Sequence, residues 1–164
     1  MTTSFDDLLE ANRRYAQDHE GGFDGIARAG VLMVTCMDSR IDPLAMIGLQ
    51  EGDAKILRNP GGRVTDQVLV AIVLGVSLLQ VKRVLVIEHT RCAMASSTEE
   101  QVKERVAEFT GTDASWMSIG VIEDQQATIR ADVHKVRSHP LVPDSVEVGG
   151  FLYDVDSGLL TPVD

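Results

Sequence analysis

Two short segments carry the side chains best suited to chemistry. In TCMDSR, residues 35–40, Cys36 is followed at two-residue steps by Asp38 and Arg40. In EHTRCAM, residues 88–94, His89 precedes Cys92, the only other cysteine of the chain, by three positions. Two thiolates and an imidazole suit zinc, and three protein ligands leave a fourth position for water, as catalytic zinc sites do. A buried cysteine alone is commonly a core filler. It is the joint placement of the two segments that selects a metal, one ion per chain, held by Cys36, His89 and Cys92.

That placement depends on the elements around them. VLMVT, running directly into Cys36, is a continuous apolar run of strand length, as expected of a strand buried on both faces. A second strand, AKILRN (54–59), leads into the turn PGG, and Thr65 caps a helix over 66–80. The third strand, RVLVIEH (83–89), ends on His89. Strand, helix and strand in this order describe a right-handed parallel crossover. If the first and third strands are neighbours, the two cysteines and the histidine meet beyond the carboxyl ends of the sheet, where open α/β folds bind ligands.

The flanks complete the architecture. Ser4 followed by Asp7 reads as a helix N-cap, and Phe5, Leu8, Leu9 and Tyr15 recur at helical spacing. This arm, residues 1–20, needs another surface to cover its stripe, and a Gly-rich linker (21–30) follows it. Helices are expected over 99–109 and 121–138, the latter stopping before Pro140. The tail 148–163 alternates around DSG as a final hairpin. The fold class is therefore α/β: an open, mostly parallel β-sheet flanked by helices, with an N-terminal helical arm and a C-terminal hairpin, in a single domain over 1–164.

Composition excludes several partner classes. With 15 basic against 25 acidic side chains and a formal charge of −10, the chain lacks the basic face that nucleic acid or an anionic membrane requires. A small or neutral substrate is the natural partner. The N-terminus carries acids where an export signal would carry basic residues, and the best apolar run, 68–79, is too short to span a bilayer. The expected compartment is the cytoplasm, where two cysteines point to metal or catalysis rather than a disulfide.

CMDSR, LRNPGG, an apolar helix and HTRCAM, in this order and spacing, resemble the β-class carbonic anhydrases, in particular their short bacterial branch. The likeness runs from about Val31 to Met94, and GFLYDVDSG resembles that branch's C-terminal end. The resemblance implies a zinc enzyme that interconverts carbon dioxide and bicarbonate by zinc-bound hydroxide, assembled as an obligate homodimer or tetramer. It also implies that Asp38 and Arg40 form a dyad beside the open metal position, and that Arg58, Asn59 and Gly61 lie near the metal, shaping the loop and guiding bicarbonate.

The dyad has a chemical rationale. A carboxylate at Asp38 can accept a hydrogen bond from the nucleophile, whereas left alone it could bind the zinc itself. Arg40, paired with it in a fork, holds it ionised and off the metal. The chain departs from the pattern HTDCG or HTNCG at Arg91 and Ala93, and from RNAGG at Pro60. Relatives of the fold hydrolyse carbonyl sulfide or carbon disulfide on the same zinc site, so such a hydrolase is one alternative. An inactive zinc-binding oligomer is the other.

Overall fold

The computed structural model describes residues 4–22 and 24–164; Phe23, inside the expected linker, and the first three residues of the arm lie outside the described residues. Five strands, β1 (Val31–Cys36), β2 (Ala54–Asn59), β3 (Arg83–His89), β4 (Glu147–Tyr153) and β5 (Leu160–Val163), form one sheet in the order β2-β1-β3-β4-β5. All neighbours are parallel except β5, which returns antiparallel to β4. The sheet is thus mostly parallel, with the expected hairpin as its far edge.

β1 lies between β2 and β3 and is buried at every residue. This explains its uninterrupted apolar sequence: both faces of the sheet are covered along this strand and leave no polar face to alternate with. Leu32, Val34, Val84 and Val86 pack on one side against Leu69 and Ile72 of α2 (Asp66–Leu78) and Ile129, Val133 and Val136 of α4 (Gln125–Arg137). Met33, Ile87, Ile41 and Tyr153 fill a second cluster that also contains both cysteines.

The helix boundaries follow local hydrogen bonding. Thr65 accepts from Val68 N and starts α2 as its sequence suggests. α2 stops at Leu78, two residues short of expectation, and Gln80 then adopts φ +59 to turn the chain into β3. Thr98 and Gln101 form a reciprocal capping box for α3 (Glu99–Thr110). α4 begins at Gln125 rather than near Val121, because the Asp124 side chain accepts from Ala127 N and fixes the start there.

The N-terminal arm differs from its reading in one respect. α1 spans Asp6–Asp18 with Phe5, not Ser4, as its N-cap, and no side chain caps it. None of its described residues is buried, so its apolar stripe is open: Phe5 is 64%, Leu8 61% and Leu9 52% exposed. Tyr15 ties the arm to the body through its hydroxyl, which donates to Glu51 Oε2 at 3.1 Å. No described helix is long and apolar enough to cross a membrane.

Candidate metal centre

Parallel neighbours that end together place their last residues side by side. Thr35 of β1 is in register with Ile87 of β3, so Cys36 and His89 emerge at the same carboxyl edge. The loop after β3 then returns Cys92 to them. The Sγ atoms of Cys36 and Cys92 stand 4.0 Å apart, and these two sulfurs and a His89 ring nitrogen all lie within 4.8 Å of one another. All three residues are buried.

The His89 ring is oriented for ligation. Nδ1 lies 2.9 Å from the Thr90 carbonyl, which can only accept, so Nδ1 carries the proton. Nε2 is left as a lone pair, buried and without a hydrogen-bond partner among the described residues. Burial lowers the His89 pKa, favouring this neutral form. Burial first, and Cys36 beside it, push the Cys92 thiol up to about 11, so two ionised sulfurs there require a cation. Two sulfurs about 2.3 Å from a tetrahedral ion stand roughly 3.8 Å apart. The donor set, the spacing and the orphaned nitrogen fit zinc.

Asp38 sits at the rim. Arg40 grips it with Nε on Oδ1 at 2.9 Å and Nη2 on Oδ2 at 2.7 Å, and Arg40 N donates to Oδ1 at 2.9 Å. These bonds hold the Asp38 carboxyl well below the usual carboxylate range. Oδ2 is 3.8 Å from His89 Nε2, so the carboxylate already borders the space between the donor atoms.

The other expected site residues shape this edge. Arg58, at the end of β2, donates through Nε to the Cys36 carbonyl at 2.9 Å and through Nη2 to the Asp38 carbonyl. One guanidinium thereby fixes the peptides of Cys36 and Asp38. Asn59 staples the PGG turn, with Nδ2 donating to Arg63 O at 2.7 Å and Oδ1 accepting from Arg63 N at 2.8 Å. Gly61, at φ +80, packs under Ile122: a Cβ there would meet Ile122 Cδ1 at 2.8 Å.

Several further residues shape the site, all but one without a local signature. A Cβ on Gly62 would stand 2.6 Å from the Ile87 carbonyl oxygen and 3.0 Å from Cys36 N, so the turn passes directly against the backbone of both ligand-bearing strands. Gln125 of α4 donates to the His89 carbonyl at 2.9 Å. Buried Asp132 accepts from Arg63 Nε at 2.8 Å and Val64 N at 2.9 Å, anchoring the turn to α4. Glu88 points into the protein with neither carboxylate oxygen paired among the described residues, and burial pushes its pKa up to about 7. Of these, only the doubled glycine was visible in sequence.

Comparison with known proteins points one way. A profile described as carbonic anhydrase matches residues 31–160. Beta-carbonic anhydrase 1 of Mycobacterium tuberculosis is 30% identical over 161 residues, covering 98% of each chain. The crystal structure of a carbonic anhydrase from Streptococcus mutans is similar with a TM-score of 0.89 at 32% identity, over 100% of both chains. Carbon disulfide hydrolase of Acidithiobacillus thiooxidans is 26% identical over 169 residues, covering 87% of this chain and 76% of that protein.

Proposed function

This chain belongs to the β-class carbonic anhydrases, and on that premise we propose that it hydrates carbon dioxide reversibly to bicarbonate, with zinc held by Cys36, His89 and Cys92. The observation that carries this reading is the convergence of three donor atoms within 4.8 Å around an unpartnered Nε2, beside a clasped carboxylate. Bound there, zinc supplies Lewis acidity that brings the proton loss of a water toward neutral pH.

The chain's own residues do the rest. Arg40 keeps Asp38 ionised and clasped at the rim, with Oδ2 3.8 Å from His89 Nε2. The Asp38 carboxylate accepts the hydrogen bond of the attacking oxygen and directs its lone pair at the carbon of carbon dioxide. Arg58 holds the Cys36 and Asp38 carbonyls in place, and its charge draws bicarbonate to the rim. Asn59 and Gly61 fix the turn that forms the neighbouring wall. The product proton leaves to buffer.

The working form in this proposal is a cytoplasmic homodimer or higher oligomer of a single-domain chain. Supporting it, α1 exposes Phe5, Leu8 and Leu9, and α2 exposes Val70, Leu74 and Leu78 at four-residue steps along its outer face. Exposed apolar stripes of this kind favour association with another copy of the chain.

Stopped-flow measurement of carbon dioxide hydration by zinc-loaded protein, run beside carbon disulfide and carbonyl sulfide hydrolysis, tests the assignment. The similarity to carbon disulfide hydrolase makes that comparison necessary. We expect hydration to dominate. Hydrolysis of either sulfur substrate without hydration would reassign the enzyme, and stoichiometric zinc without any turnover would leave a binding protein.

A further inference from the structure

Arg91 is the charged residue of the metal loop that the proposed chemistry leaves unused. It adopts φ +54, a left-handed conformation that aspartate or asparagine accept more readily than a long side chain. Two contacts hold it there. Its carbonyl accepts from Arg40 Nη2 at 3.2 Å, the same nitrogen that grips Asp38 Oδ2. Its guanidinium Nη2 meets Asp156 Oδ1 at 2.7 Å.

Asp156 is presented from the turn between β4 and β5, and that turn is firmly built. The backbone nitrogens of Asp156 and Ser157 donate to Asp154 Oδ1 at 2.8 and 3.1 Å, and Gly158 N donates to Asp154 O at 2.8 Å. Thr90 pins the turn to the metal loop from both sides: its N donates to Tyr153 O at 2.9 Å and its Oγ1 accepts from Val155 N at 3.2 Å. The hydrogen bond to Asp38 first, then the negative charges of Asp38 and Asp156, favour the Arg40 cation. Asp38, Arg40, Asp156 and Arg91 therefore alternate in sign across the rim.

We propose that Asp156 is a positioning residue for the dyad: through its ion pair with Arg91 it holds the left-handed peptide whose carbonyl keeps Arg40 clasped on Asp38. The inference rests on the carbonic anhydrase reading above and adds to it a residue from the β4–β5 turn, at the same carboxyl edge of the sheet. Both partners are well exposed, Arg91 at 59% and Asp156 at 65% of their side-chain surface, so water and salt screen the pair and its effect is modest.

The test uses full-length wild type, Asp156→Asn, Asp156→Glu, Arg91→Ala and the double variant Arg91→Ala/Asp156→Asn. Each is loaded with zinc for kinetics and with cobalt(II) for visible spectra, which report the oxygen donor nearest the metal. We expect Asp156→Asn to keep full zinc and to lower kcat about two- to fivefold with KM unchanged. Asp156→Glu should recover most of that loss. The double variant should be no slower than Arg91→Ala, because Asp156 acts through Arg91. Wild-type kcat in Asp156→Asn overturns the proposal, as does an equal loss from Asp156→Asn when Arg91 is already alanine. If wild type hydrates no carbon dioxide, the functional reading fails separately, and the cobalt spectra decide. A band shift in Asp156→Asn that disappears in the Arg91→Ala background then supports positioning, and unchanged spectra refute it.

Discussion

The close passage of the PGG turn across β1 and β3 can be tested by adding a single methyl group. Gly62→Ala places a Cβ 2.6 Å from the Ile87 carbonyl oxygen and 3.0 Å from both Cys36 N and Thr35 C. The shortest of these is roughly 1 Å inside an ordinary nonbonded separation of about 3.5 Å. All three are backbone atoms near the carboxyl ends of β1 and β3, so relief requires moving a strand or the turn. The φ of +72 adds about 1–2 kcal/mol for any residue with a Cβ, and forcing extra volume into a packed interior adds about 1–3 kcal/mol. A destabilisation of about 2–5 kcal/mol follows, which for a chain of this size lowers Tm by roughly 4–20 °C. Gly61→Ala is the control. Its φ of +80 carries the same conformational cost, but its Cβ meets the end of the Ile122 side chain, which can rotate away. Thermal unfolding of the zinc-loaded proteins by calorimetry should therefore rank wild type above Gly61→Ala and Gly61→Ala above Gly62→Ala. Zinc content should fall in Gly62→Ala, because the displaced backbone includes Cys36. If Gly62→Ala melted with or above Gly61→Ala, the inference that backbone contact dictates glycine here would be wrong.

Cys92→Ala should fold yet carry far less than one zinc per chain by elemental analysis, since two remaining donors make a weak site; full occupancy would refute the ligand set. Arg40→Ala should retain zinc but lose about 100-fold in turnover, because the acid it clasps is no longer held in position; rates equal to wild type at every pH would reduce the dyad to an ordinary ion pair. Light scattering at micromolar concentration should report a dimer or larger, and Leu8→Asp combined with Leu74→Asp should shift it toward monomer. Glu99 accepts from the backbone nitrogens of Ile119 and Gly120, which hold its pKa below the ordinary value of 4.5. Its contribution is thus present above about pH 4.5 and is lost as pH falls through the lowered folded value. The stability gap between wild type and Glu99→Gln should be constant near neutrality and narrow on acidification; a gap that widens in acid has the wrong sign.

Sequence alone determined what local chemistry can encode. The continuous apolar runs of β1 and β3 mark strands covered on both faces, and parallel strands of that kind end at one edge, so it was legible that Cys36 and His89 share that edge, while their meeting required β1 and β3 to be neighbours, which the strand order supplied. The Thr65 cap, adjacent to its helix, was equally readable. Even local signals failed where two choices compete within a turn: Ser4 lies one residue outside the N-cap position of α1, and Asp124 fixes α4 later than its periodicity suggests. Tertiary structure decided everything that joins distant elements. Gln125 reaches the His89 carbonyl across 36 residues, and Arg63 reaches Asp132 across 69. Asp156 meets Arg91 because β4 lies beside β3. Periodicity reports which face of an element is dry, but it carries no record of which element will cover that face. Only the strand order brings the turn after β4 over the metal loop, and only the closeness of β1 and β3 makes a glycine obligatory at position 62.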